Sequence, residues 1–168
     1  MRRIVTSSRA NKRLSRAAAF LVVMLFATLA WSADEKAAPQ IRALKAHLYY
    51  HETGTVGVED VASNVAALWN TVIGAGDAKG PSSALLVTVT MVGAFPAKAG
   101  TTLIVESARG GGAPSVQSIP LEYFFSDRDT ITVPVLLHGV GCEDLILSAA
   151  IGGSSDKVRV TVPFRCGE

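Results

Sequence analysis

No stretch of the 168-residue chain spells a catalytic motif. It has no G-x-S-x-G elbow, no H-E-x-x-H, no C-x-x-C and no phosphate-binding glycine loop ahead of a helix. Glu122, Asp127 and Asp129 are close in sequence but read as a polar turn, and "IGAGD" lacks the strand–helix setting of a dinucleotide site. An enzyme is therefore the least favoured class, and no cofactor is implied. Histidine is confined to His47, His51 and His138, and cysteine to Cys142 and Cys166. Structural zinc sites usually take four ligands, so these three imidazoles do not by themselves make a metal centre. The longest apolar run, fourteen residues, is short of the roughly 20 of a stable transmembrane helix.

Acidic residues are missing from the N-terminus, where residues 1–16 carry six basic side chains. A fourteen-residue apolar stretch follows, residues 17–30, with Thr28 its one polar member. A basic region, an apolar region and small residues at a junction describe a secretory signal peptide. Ala30 and Ser32 fit positions −3 and −1, which places cleavage between Ser32 and Ala33. The alternative is an uncleaved N-terminal anchor. No cysteine follows the apolar stretch to carry a lipid.

Cleavage changes the charge. The whole chain is +2, but removing six basic residues leaves ten basic against fourteen acidic, a net of −4. That excludes an electrostatic case for nucleic-acid binding. The mature 136 residues suit one domain with its own core. In an oxidising compartment the pair Cys142 and Cys166 reads as a disulfide.

Residues 33–40 read as a flexible lead-in and 41–168 as one domain. The dominant signal is alternation with period two. Leu85, Val87, Val89 and Met91 share a face; so do Ile119, Leu121, Tyr123 and Phe125, and Ile131, Val133, Val135 and Leu137. Leu145, Leu147, Ala149 and Ile151 form another such row, and Val158, Val160, Val162 and Phe164 the last. Strand starts fall near 84, 102, 116, 130, 144 and 157. Pro120, Pro134 and Pro163 belong at edges or strand ends, because proline has no ladder donor. Residues 53–82 break the pattern. Val58, Val61, Val65, Leu68 and Val72 have helical spacing, which predicts a short amphipathic helix or an irregular insertion before the second strand. Trp69 is expected over one end of the fold.

Many short strands with one apolar face each predict two sheets packed together. Over residues 83–168 their order and lengths resemble an immunoglobulin-like or fibronectin-type sandwich, without the tryptophan and tyrosine-corner hallmarks of antibody domains. The fold class expected is all-β, an antiparallel β-sandwich of about seven strands.

"HLYYH", residues 47–51, tests the metal reading. As a strand, four residues span roughly 13 Å, too far for His47 and His51 to share one ion. As a helix they would be roughly 6 Å apart along one face. The strand is preferred, with Leu44, Ala46 and Leu48 on one face and Lys45, His47 and Tyr49 on the other. The cysteines raise a register problem. If Cys142 faces Cys166, partner numbers in the last hairpin sum to 308 and the leucine face meets Thr161 and Arg159. A sum of 309 matches leucines to valines but puts the cysteines one step out. Burial should set the register, with a bulge or irregular strand entry near Gly141 and Cys142.

The leading expectation is an exported, non-catalytic protein of the cell envelope, a monomer that binds or supports a protein or glycan partner. Its surface candidates are the loops at Gly110–Gly112 and Gly74–Ser82. The alternative is a small periplasmic metal-binding protein using His47 and His51, with His138 in reserve. A fibre subunit exchanging strands is a third reading. N-terminal sequencing of the protein recovered from the exporting cell should begin at Ala33; an intact N-terminus would favour the anchor.

Overall fold

A computed structural model describes residues 37–167 apart from 65 and 77. The expected signal segment and its junction lie outside the described residues. Ten strands run in chain order: β1 (Gln40–Tyr50), β2 (Thr55–Val56), β3 (Leu68–Trp69), β4 (Ala84–Val92), β5 (Thr102–Arg109), β6 (Ser115–Pro120), β7 (Thr130–His138), β8 (Leu145–Ile151), β9 (Lys157–Val162) and β10 (Phe164–Arg165). The domain is all-β. One antiparallel sheet has the order β2-β1-β4-β7, the other β6-β5-β8-β9, and a parallel ribbon joins β10 to β3. No helix among the described residues is long and apolar enough to cross a membrane.

The alternation does what a pleat requires, placing every second side chain on one face. Leu85, Val87, Val89 and Met91 of β4 are fully buried, as are Leu103, Leu147 and Ala149 of the second sheet. Residues from both sheets form one buried cluster with Leu44, Ala46 and Leu48 of β1. "HLYYH" is thus a strand through Tyr50, with His51 in the following turn.

The three prolines fall where a missing donor does no harm. Pro120 ends edge strand β6. Pro134 lies mid-strand in edge strand β7, in phase with Leu136 and His138. Those two turn their carbonyls away from the ladder, to Gln117 Nε2 at 3.4 Å and Arg109 Nη2 at 3.3 Å, so the ladder needs no donor from Pro134.

Three expectations are corrected. First, the described residues of 53–82 form the irregular insertion and not the helix, with the short strands β2 and β3 inside it. Val61 and Leu68 are buried, but Val58 is 88% exposed and Val72 is exposed, so the helical spacing marks no continuous face; Val65 lies outside the described residues. The backbone instead borrows partners from neighbouring strands: Gly57 N–H donates to Leu48 O, Val61 to Ala46 O, and Leu68 to Pro163 O, each at 2.8 Å. Second, the strand expected through Phe125 stops at Pro120. A 3₁₀ turn, Leu121–Tyr123, breaks the alternation and leaves Tyr123 and Phe125 exposed while Leu121 is buried.

Third, the last hairpin pairs Leu145 with Val162, Leu147 with Val160 and Ala149 with Val158, a partner sum of 307 rather than 309. The leucine and valine faces still meet, because a shift of two preserves the faces. The turn is centred one residue earlier than expected, and Gly152 N–H within it donates to Thr102 O of β5. At the other end Pro163 closes the ladder at Val162, and Phe164 and Arg165 cross to pair with Leu68 and Trp69.

The disulfide Cys142–Cys166 forms, with Cα atoms 5.1 Å apart. Cys142 lies in the irregular connection from β7 to β8, and Cys166 follows β10, outside the ladder of the last hairpin. Arg165 pairs with Asp144 beside it. The bridge closes a loop of sequence separation 24. Replacing both cysteines with serine should lower unfolding free energy by about 3 kcal/mol, read from urea denaturation; an unchanged midpoint would show that the bridge constrains nothing.

Candidate functional site

Three polar constellations stand out. The first is a cleft along the outer edge of the first sheet, built by the tight return after β1. Gly54, at φ +66°, donates to Tyr50 O and turns the chain into β2. The Asp60 carboxylate then accepts from Ala46 N–H at 3.0 Å and Ala62 N–H at 3.2 Å, clamping residues 57–62 to the edge of β1. The opposite wall is the loop through Lys79, Gly80 and Pro81. Ser82 anchors it: its amide donates to Thr71 O, and its hydroxyl bonds Tyr49 O at 2.9 Å. Gly74, at φ +74°, packs so closely that a Cβ there would meet Pro81 N at 2.5 Å.

Between these walls lie two adjoining hollows of about 370 and 70 Å³ that share Tyr50, Gly57, Val58 and Lys79. Glu52, Thr53 and Thr55 line the larger one and Glu59 the smaller. The cleft therefore combines an aromatic ring, two carboxylates, an ammonium and hydroxyls. Such a set can hold a polyhydroxylated ligand by ring stacking and paired hydrogen bonds. Of the two expected surface loops, Gly74–Ser82 supplies one wall. Gly110–Gly112 is exposed and lines no part of this cleft. Tyr50, Glu52 and Glu59 were not singled out in the sequence as ligand-binding residues.

The second constellation is histidine. His47 and His51 are not drawn together. His47 Nδ1 lies 3.1 Å from Gly57 O, which can only accept, so Nδ1 carries the proton. His51 instead stacks on His138, ring centroids 5.6 Å apart and planes 15° from parallel, with Tyr49 edge-on to His51 at 5.1 Å. Imidazole lone pairs lie in the ring plane. Two near-parallel rings at this separation do not converge on an ion about 2.1 Å from each nitrogen, so metal binding would need a ring to turn. Among the described residues no group of three or more His, Cys, Asp or Glu is arranged to hold a metal. Cys142, four residues after His138, is oxidised and is not a thiolate nucleophile.

The third is on the outer face of the second sheet. Glu106 pairs with Lys157 and accepts from Ser148 Oγ at 3.0 Å. The bond from Lys157, then that from Ser148, holds the Glu106 carboxyl below the usual carboxylate range. The folded value lies below the unfolded one, so the network's stabilisation is present above the unfolded pKa of about 4.3 and lost as pH falls through the folded value. Glu106→Gln should lower the urea midpoint at neutral pH, and its difference from the wild type should shrink as the pH drops below that point. A difference constant from neutral to strongly acid pH would exclude this role for Glu106.

Compared with known protein families, curated proteins and solved structures, the chain matches none.

Proposed function

We propose that the chain is an exported, non-catalytic β-sandwich of the cell envelope, of immunoglobulin-like or fibronectin type, that binds a glycan in the cleft between β2 and the Lys79–Pro81 loop. The strand order supports the fold type. The seven long strands divide into β1-β4-β7 and β6-β5-β8-β9. In that fold's lettering these are A-B-E against C′-C-F-G. The disulfide departs from the antibody pattern, since it ties the E–F connection to the chain end rather than joining strands B and F. Export is supported by the basic-then-apolar N-terminal segment and by the disulfide.

The cleft carries the binding reading. It is an open concave surface in which Tyr50, Glu52, Glu59 and Lys79 meet. A sugar presents an apolar C–H face ringed by hydroxyls. Tyr50 and Val58 suit the first; the carboxylates and the ammonium suit the second.

Titration calorimetry with N-acetylhexosamine oligosaccharides should show binding that weakens about tenfold or more in Tyr50→Ala, and similarly in Glu59→Gln. Absence of heat with every oligosaccharide, or affinity unchanged in both variants, would sink the glycan reading.

A further inference from the structure

A hollow of about 200 Å³ lies on the outer face of the second sheet. Strand register builds it. Glu106 of β5 sits opposite Ser148 of β8, and Ser148 opposite Arg159 of β9, a polar row across three strands. Ala108 and Ile146 face each other in the next outward row. These residues alternate with Val105, Leu147 and Val160, which pack in the core, so they share the opposite face. Lys157, two residues before Arg159, joins them from the start of β9.

Pro114 completes the rim. The glycine turn after β5 brings it there: Gly111 takes φ +80°, and Gly112 N–H donates to Arg109 O at 2.7 Å, which reverses the chain. The lining is therefore part apolar, from Ala108, Pro114 and Ile146, and part charged. The charges are unequally matched. Lys157 is taken by Glu106, which also accepts from the buried Ser148 hydroxyl. Arg159 is exposed and belongs to neither ion pair found among the described residues. Two cations against one carboxylate leave the lining at +1, and the unmatched charge is a planar guanidinium.

The geometry points to a binding site for a small carboxylate with a branched apolar body, its carboxylate on Arg159 and its body against Ala108, Ile146 and Pro114. A guanidinium fork holds a carboxylate through two parallel N–H···O bonds, which an ammonium cannot do. Glu106 sets the ligand's charge. A phosphate would bring its second negative charge towards that carboxylate and leave the apolar part of the lining unfilled. The volume sets the size. Sites for drug-sized ligands are roughly 300–1,000 Å³, so this hollow suits a single amino-acid-sized group. A free branched acid and the C-terminal residue of a peptide share that chemistry. The hollow shares no lining residue with the cleft, so the inference does not rest on the glycan reading.

Isotope-labelled protein recovered from the exporting cell can be titrated with N-acetyl-valine, isovalerate, N-acetyl-valinamide and inorganic phosphate, following its amide resonances. At least one of the two acids should shift the amides around Ala108, Ile146 and Arg159 to saturation. N-acetyl-valine alone would make the ligand a peptide end, and isovalerate alone a free acid. The uncharged valinamide and phosphate should each bind at least about tenfold more weakly. Arg159→Gln should weaken the acid by about tenfold or more with circular dichroism unchanged, and so should Ala108→Leu, which fills the hollow from its floor. Arg42→Gln, which removes an exposed cation from β1, should leave affinity as it was. Amides that respond to neither acid would overturn the inference. So would valinamide binding as tightly as the acids, phosphate doing so (an adventitious ion only), an affinity indifferent to Arg159→Gln or to Ala108→Leu, or an equal loss in Arg42→Gln.

Discussion

The inward faces of two four-stranded sheets share one apolar cluster, and the placing of the other elements follows from keeping that cluster closed. β4 and β8 are, like β1 and β5, inner strands flanked on both sides. Their inward residues, Leu85 to Met91 and Leu145 to Ala149, are at or near zero exposure. Truncating one of the leucines there would leave a cavity that neighbours fill only in part, a cost of about 2–5 kcal/mol. Surface features have no comparable hold. The Glu106–Lys157 pair is solvent-exposed, where ion pairs contribute little.

The same demand explains the odd end of the chain. Had β9 continued straight past Val162, Phe164 would have extended along the edge of the second sheet. Pro163 prevents this by withholding a donor, and Phe164 turns to pair with Leu68, fully buried. Leu68 N–H donates to Pro163 O, and Asn70 N–H to Arg165 O. A parallel ribbon of two residues is too short to persist alone. Here the disulfide holds its C-terminal member and the core holds Phe164, so the irregular 57–82 segment acquires an anchor at each end: β1 through Asp60, and β10 through Leu68.

That division also separates what the sequence makes legible from what it hides. Strand starts at 84, 102, 130 and 157 could be read to the residue because alternation is a local property of a half-buried strand. The disulfide was legible from the cysteine count and the expectation of export, and the parity of the last hairpin from matching apolar faces. Residues 53–82 were not legible, because their partners are distant in sequence. Valines at helical intervals look amphipathic until Val61 is taken by β1 and Leu68 by β10. The Asp60 carboxylate accepts from Ala46 N–H, fourteen positions away. The cleft was hidden for the same reason: Glu52 and Lys79 become neighbours only through the edge of β1. The break at Tyr123 left a weaker trace, since Pro120 could mark either an edge position or the end of its strand.

The cleft and the exposed pair Tyr123 and Phe125 sit at opposite ends of one strand. β1 has 11 residues, so Gln40 and Tyr50 lie roughly 33 Å apart. Gln40 pairs with Val92, and Val92 with Thr130, where the loop that carries the pair returns; Tyr50 pairs with Thr55 at the mouth of the cleft. The cleft end exposes Val56, Val58, Val72 and Ile73 beside Glu52, Glu59 and Lys79, and the other end exposes Tyr123 and Phe125 beside Glu122, Asp127 and Asp129, so each end of the domain combines apolar and charged groups.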